Sequence, residues 1–233
     1  EWVKIEDNFG GHMVFSVDAS RLQAPAGYKL AKLSMQWEQW SRSMDKEIEA
    51  LLKQGTWELV SRSDIPRGRK PTKSKWVYVI KYARDGTIDR FKSRFVVCGY
   101  SQIQGLDFDQ AFSSTLRATS LRTLLALSVQ NGLQLEHVDV SSAFTQALIG
   151  EKDVFVEPPR GYEVTGADGS TLVLKLRKAL YGCRQSGRLW QDTLRKWLLE
   201  YGFTSSVHDP CLFMLRRNGG VLLIGVFVDD LVC

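Results

Sequence analysis

Residues 221–230 read Val-Leu-Leu-Ile-Gly-Val-Phe-Val-Asp-Asp (VLLIGVFVDD), an apolar run that ends in two adjacent carboxylates. From Val221 to Val228 there is one Gly and no charge, and Asn218-Gly219-Gly220 ahead of the run is a turn signal. That pattern predicts a buried strand entered from a tight turn, and it is too short to cross a membrane. Like charges side by side repel and are costly to take out of water. A strand that carries Asp229 and Asp230 to the edge of a core is therefore expected to face a cation there. A solvated Asp-Asp turn is the plainer alternative, and the dipeptide alone does not exclude it.

A second stretch answers the first. Leu133 to Val138 (LQLEHV) alternates loosely through Leu133, Leu135 and Val138 and delivers Asp139. Three carboxylates at the ends of neighbouring strands can hold two Mg2+ ions about 3.5–4 Å apart, the arrangement that serves in-line phosphoryl transfer. The remaining sequence is then expected to meet a nucleic acid and a nucleoside triphosphate.

Composition permits this and excludes little. The chain has 233 residues, 44% of them hydrophobic and 24% charged, and a formal net charge of +5. These are values of an ordinary globular protein of one large domain or two subdomains, compatible with a polyanionic partner. Cys98, Cys183, Cys211 and Cys233 form no Cys-x-x-Cys pair, and nothing near His208 and Cys211 completes a zinc set, so inert thiols are expected. The first residues show no secretory or transit pattern. An intracellular, reducing compartment is the default.

Upstream of the carboxylates, Trp37, Trp40, Met44, Ile48, Leu51 and Leu52 recur at helical spacing before Gly55, which predicts an amphipathic helix with a C-terminal glycine. Thr56 to Val60 reads as a short strand. Lys75 to Tyr82 and Ile88 to Val97 flank Asp85-Gly86, a hairpin signal. Along that hairpin Lys75, Lys81, Arg84, Arg90, Lys92 and Arg94 interleave with aromatic residues. Such a charge run is either a solvated face or a flap that holds phosphates, Lys as a point charge and Arg as a fork. A helix from Leu121 to Gln130, capped by Thr119 or Ser120, precedes the Asp139 strand. Val154 to Val156 and Leu172 to Leu176 suggest two more strands around a Gly- and Asp-rich loop. Arg188 to Tyr201 reads as a helix with Leu189, Trp190, Thr193, Leu194, Trp197 and Leu198 on one face and Gly202 as its stop.

Taken together and in order, these pieces resemble the reverse transcriptase domain of copia-type LTR retrotransposons. The resemblance is carried by Trp40 to Leu51 (WSRSMDKEIEAL), Gly55-Thr56-Trp57, Lys75-Trp76-Val77-Tyr78, Asp85 to Tyr100 (DGTIDRFKSRFVVCGY), Ser120-Leu121-Arg122, Asp139 to Phe144 (DVSSAF), Pro158-Pro159, Lys178 to Trp190 (KALYGCRQSGRLW), Asp209 to Phe213 (DPCLF) and Phe227 to Asp230 (FVDD). It implies an α+β, right-hand polymerase fold with fingers and palm over residues 35–233, no thumb, and a lead-in over residues 1–34.

The resemblance also implies roles. Asp139, Asp229 and Asp230 would be the catalytic triad, with Asp139, the Val140 carbonyl and Asp229 on two Mg2+ ions (Mn2+ as substitute) and Asp230 less directly involved. Phe144 would stand under the sugar and exclude a 2′-hydroxyl. Lys81, Lys92, Arg94 and Tyr181 would bind the incoming dNTP, and Gly182, Arg184, Gln185, Phe227 and Val228 would meet template and primer. Partners would be an RNA or DNA template with primer, dNTPs, and other segments of a polyprotein, integrase upstream and RNase H downstream, in a cytoplasmic virus-like particle or the nucleus, with no membrane.

The sequence departs from the family pattern in two places. Gly187 stands where a Pro usually opens the helix, and Phe227 replaces the usual Tyr of the carboxylate hairpin. Only Leu231, Val232 and Cys233 are left for a returning strand, so the expected activity is RNA-directed DNA polymerisation by a fragment. The alternative is a catalytically inactive remnant that still holds nucleic acid through the basic hairpin. A phosphoacceptor signalling domain also ends strands in carboxylates, but it alternates strands and helices throughout, unlike this chain.

Overall fold

The computed structural model describes residues 2–6, 12–16, 22–167 and 169–233. Gly10-Gly11 of the expected lead-in and Asp168 of the Gly- and Asp-rich loop lie outside the described residues. The class is α+β, with the named strands pairing antiparallel throughout. A first pair, β1 (Trp2–Glu6) and β2 (His12–Ser16), forms a sheet of its own.

The first core is built around a helix and a hairpin. Helix α1 (Tyr28–Leu33) buries Ala31 and sets Tyr28 edge-on to Trp37. Helix α2 (Trp37–Lys53) buries Trp40, Met44 and Leu51 and ends at Gly55, whose φ of 63° a side chain would resist. Leu52 does not belong to this stripe: a step of about 100° beyond Leu51 turns it outward, 57% exposed. After β3 (Trp57–Val60), strands β4 (Ser74–Tyr82) and β5 (Ile88–Val97) form the expected hairpin. Its connection is a five-residue loop, not a two-residue turn, with Thr87 N and Oγ1 donating to Asp85 Oδ1.

Period-two alternation gives the hairpin two faces. Trp76, Tyr78, Ile80, Phe95 and Val97 are buried against α2, while Lys75, Lys81 and Arg90 stand outward with half-buried Lys92 and Arg94. Helix α2 also satisfies the free edge of β5. Ser93 N donates to Ser43 Oγ at 2.7 Å, Phe95 N donates to Glu47 Oε1 at 3.3 Å, and Val97 N donates to the Tyr181 carbonyl at 2.8 Å. An edge strand with its N–H groups occupied cannot recruit another strand. A short sheet of β3, β8 (Val173–Leu176) and β7 (Phe155–Val156), in the order β3-β8-β7, closes this core.

The second core lies under a five-stranded sheet in the order β6-β12-β11-β10-β9, made of β6 (His137–Asp139), β9 (Thr204–Ser205), β10 (Leu212–Arg217), β11 (Gly220–Phe227) and β12 (Asp230–Val232). Helices α3 (Ala118–Asn131) and α4 (Ser186–Tyr201) contribute to it, with Leu116, Trp190, Leu194, Leu198, Phe213, Ile224 and Val226 in the interior cluster or beside it. Gly225 permits the close fit, since a Cβ there would lie 2.7 Å from Leu116 Cδ2.

Several expectations are corrected here. The run before the carboxylates is buried only at Ile224, Gly225 and Val226, whereas Val221 is 50% exposed, because the sheet is antiparallel and helices cover only part of it. The strand into Asp139 is three residues long and exposed. Helix α4 starts at Ser186 and buries the single line Ser186, Trp190, Leu194 and Leu198, and Trp197 instead stacks on Tyr201 at the surface, 5.6 Å between centroids. Three of the four free thiols are buried, and burial pushes Cys183 up to about 12, as expected of inert groups.

The start of α3 is the most informative difference. Neither Thr119 nor Ser120 caps it, and Arg117 occupies the cap position. Asp209, 2% exposed, supplies the cap from a distant loop: Oδ2 accepts from Arg117 N at 3.0 Å and Ser120 Oγ at 2.6 Å, and Oδ1 accepts from Cys211 N at 3.0 Å. A carboxylate at a helix N-terminus satisfies orphan donors and complements the dipole. Burial raises its pKa, but the Ser120, Arg117 and Cys211 donors outweigh that and hold it below the ordinary carboxylate range.

Asp209→Ala is expected to cost about 2–3 kcal/mol of stability, since a charged acceptor is lost and buried donors are left unpaired; urea unfolding measures it. Because the folded pKa is depressed, this contribution is present above the ordinary carboxylate range and lost as pH falls through the folded value. The difference between wild type and Asp209→Ala should accordingly shrink on acidification.

Candidate active site

The carboxylate turn is a backbone problem before it is a chemical one. Phe227 pairs with Asp230 across β11 and β12, leaving Val228 and Asp229 as the two central residues. Val228 has φ of 60° and Asp229 is not among the positive-φ residues, the sign pattern of a type II′ turn, where Gly is usual. A β-branched residue there costs about 1–3 kcal/mol and persists only where its surroundings hold it. Trp190 Nε1 donates to the Val228 carbonyl at 2.7 Å, and Val140 N donates to the Asp229 carbonyl at 2.8 Å.

The same pairing fixes the acids. Strand β12 lies between β11 and β6, and Asp230 stands directly opposite Asp139. The Val140–Asp229 hydrogen bond brings Asp229 beside the end of β6. Asp139 and Asp229 then line one cavity of about 220 Å³ with Val140, Glu47, Lys92, Arg94 and Tyr181. The Asp230 carboxylate does not line this cavity, and its Oδ1 lies 2.9 Å from His137 Nε2.

The opposite wall is basic. Lys92 and Arg94 are two residues apart on the outward face of β5, and the Arg94 guanidinium sits 5.1 Å from the centre of the Tyr181 ring. Burial depresses the Lys92 pKa, and Arg94 and Arg90 depress it further against the pull of Glu47. Tyr181 is raised by burial. Phe144 stands behind it, edge-on at 5.1 Å and 69°, and packs against both cores. Tyr181, not Phe144, is thus the aromatic ring that lines the cavity.

The other expected residues scatter. Lys81 is opposite Arg90 on the same hairpin face, outside the cavity lining. Gly182 is a close approach, since at φ of 87° a Cβ there would lie 2.1 Å from the Val97 carbonyl oxygen. Arg184 is exposed, with Nε donating to the Gly99 carbonyl. Gln185 is 4% exposed, and its Nε2 donates to the Asp107 carbonyl. Phe227 is 51% exposed beside the turn.

Glu47 is the residue that sequence reasoning missed. It sits on the polar edge of α2, where a carboxylate looks merely solvated, yet burial raises its pKa against the Phe95 N–H and the Arg94 and Lys92 charges. Only the placement of α2 against β5 reveals it.

Among the described residues no three His, Cys, Asp or Glu side chains gather as a metal-ligand group. Asp139 and Asp229, the two aspartates on the cavity, nevertheless suit Mg2+, which takes one or two carboxylates and completes its shell with water and substrate phosphate oxygens.

One carboxylate from the β11–β12 turn and one from the end of β6 thus face a basic hairpin across a small cavity. The chain belongs to the reverse transcriptase (RNA-dependent DNA polymerase) family, whose model matches residues 54–233. It is of the copia type. It is 36% identical over 214 residues to the retrovirus-related Pol polyprotein from transposon RE1 of Arabidopsis thaliana, covering 92% of this chain and 14% of that protein. It is 36% identical over 196 residues to the corresponding polyprotein from transposon TNT 1-94 of Nicotiana tabacum, covering 83% and 14%. The transposon Ty1-NL2 Gag-Pol polyprotein of Saccharomyces cerevisiae is 31% identical over 202 residues, covering 84% and 10%. The chain spans a small part of the length of these relatives.

Trp190→Phe removes the donor to Val228 and, because a phenyl ring is smaller than an indole, leaves a cavity in the second core. It should lower stability by about 2–3 kcal/mol in chemical denaturation.

Proposed function

We propose that this chain is the fingers and palm of an RNA-directed DNA polymerase, with α2 and the β4–β5 hairpin as fingers and the five-stranded sheet as palm. It adds a deoxynucleotide to a primer 3′-hydroxyl on an RNA or DNA template. One observation carries the reading. Asp139 and Asp229 face Lys92 and Arg94 across a single cavity, and among the described residues no ion pair joins the two sets. Opposite charges held apart in this way suit a ligand that carries both signs, and a magnesium–triphosphate is one.

Asp139, Asp229 and the Val140 carbonyl would hold Mg2+, or Mn2+ in its place, and the bound ions supply Lewis acidity and charge neutralisation. Lys92 and Arg94 bind the triphosphate oxygens, Lys as a mobile point charge and Arg as a planar fork. When the primer oxygen bonds to the α-phosphorus and the bridging oxygen leaves with pyrophosphate, charge grows on the side these two residues face. They stabilise it from a strand that α2 already fixes in place. Tyr181 forms the floor of the cavity and Phe144 sets its height, so the pair together exclude a 2′-hydroxyl. Integrase and RNase H segments of the same polyprotein are the expected covalent neighbours.

Primer extension on an RNA template with Mg2+ and deoxynucleotides tests the proposal, on this chain and on a form carrying adjoining polyprotein sequence. Asp139→Asn or Asp229→Asn is expected to lower addition by about a hundredfold or more while leaving duplex binding largely intact. Full activity in either variant would refute the assignment. Salt-sensitive binding without extension by any wild-type form would favour the inactive remnant.

Phe144→Ala should weaken discrimination against ribonucleotides by roughly tenfold or more, read as the ratio of kcat/KM for matched deoxy- and ribonucleotides. An unchanged ratio would place the gate elsewhere.

A further inference from the structure

We infer that Glu47 is a specificity-determining residue of the nucleotide cavity, whose fixed negative charge favours a triphosphate that carries a metal ion over one that does not. The inference rests on the polymerase reading of that cavity.

The docking of α2 on β5 separates what Glu47 does as an acceptor from what it does as a charge. Ser43 and Glu47, one helical turn apart, accept from two N–H groups on the same edge of the strand, Ser93 N at 2.7 Å and Phe95 N at 3.3 Å. A neutral hydroxyl serves the first. The second also needs only an acceptor, and an amide oxygen of the same reach would supply it. The charge of Glu47 is therefore surplus to this docking. It is also kept against burial, which raises the Glu47 pKa despite the Phe95 N–H, Arg94 and Lys92. Among the described residues Glu47 joins no ion pair.

What the charge faces is the cavity. Glu47 lines it with Asp139, Asp229, Lys92 and Arg94, so three carboxylates stand with two cations. Their fields converge on Tyr181: burial raises that phenol, Arg94 opposes, and Glu47, Asp229 and Asp139 each raise it further. Unlike the two aspartates, Glu47 is tied by Oε1 to the strand that carries Lys92 and Arg94, so its charge meets the phosphates. A free nucleoside triphosphate carries about four negative charges and a magnesium-bound one about two, and the cost of meeting a fixed anion scales with that charge. Glu47 thus penalises the metal-free ligand about twice as heavily in free energy as the metal-bound one.

The test measures the dissociation constant of a deoxynucleoside triphosphate for the full chain on a primer–template whose primer lacks a 3′-hydroxyl, once with Mg2+ and once with EDTA. Glu47→Gln keeps an acceptor for Phe95 N and loses the charge. It is expected to tighten binding about tenfold with EDTA and about threefold with Mg2+, so that the advantage conferred by the metal falls about threefold. Glu47→Asp, which keeps the charge, should retain the wild-type advantage. An unchanged advantage in Glu47→Gln, even with lower stability in urea, would overturn the inference and leave Glu47 a structural counter-ion to Lys92 and Arg94. An equal fall in Glu47→Asp would also overturn it, because the bond and not the charge would then be responsible. Failure of the polymerase reading is distinct: wild type would then bind templated and non-templated triphosphates alike, whatever the effect of Glu47.

Discussion

Everything in the site hangs on one peptide unit held in a conformation its side chain disfavours. Val228 occupies the left-handed region at the tip of the β11–β12 turn, and the Trp190 indole and the Val140 N–H clamp the turn through the Val228 and Asp229 carbonyls. Trp190 is on the buried line of α4, so the helix that builds the second core also sets the turn. Val140 follows Asp139 directly, so the bond that fixes Asp229 also fixes its distance from the other acid. Stability and site geometry therefore share their atoms.

The basic wall is placed by different means. Lys92 and Arg94 project from a strand whose outer N–H groups are taken by Ser43, Glu47 and the Tyr181 carbonyl. That last bond requires two backbones to touch, and Gly99 and Gly182 allow it: a Cβ on either would come within 2.1 Å of a carbonyl oxygen. Tyr181 is thereby carried under Arg94 and against Phe144, the side chain that packs on both cores. The two walls meet through this aromatic pair.

Much of this was legible in the sequence where one period dominated. The α2 stripe, the amphipathic β4–β5 hairpin, the paired strands β7 and β8, and the β10–β11 hairpin into Asp229-Asp230 all follow from local pattern. What failed was what depends on a distant partner. Asp209 reads as a loop acid, but it is the cap of α3 because tertiary packing brings it to Arg117 and Ser120. Trp197 fits the helical stripe on paper, yet only every fourth residue of α4, from Ser186 to Leu198, is buried. Gly182 looked like a ligand contact, but its lack of a side chain is explained by Val97. Glu47 carried no local signal at all, since only the docking of α2 on β5 distinguishes it from the solvated acids around it.

The electrostatics of the cavity point the same way as its geometry. Lys92 is depressed by burial and by Arg94 and Arg90, and Glu47 is raised by burial against the pull of the Phe95 N–H, Arg94 and Lys92, so both groups are held where burial disfavours their charge. Direct pairing of Lys92 or Arg94 with Asp139 or Asp229 would relieve this and close the space. The strands prevent it, because β5 is fixed by α2 and the acids by the Trp190 clamp, and neither wall can cross to the other. Charge left unresolved in this way is a cost to the folded state that a doubly charged ligand removes on arrival. Under the proposed function, a bound metal–triphosphate should thus stabilise the protein.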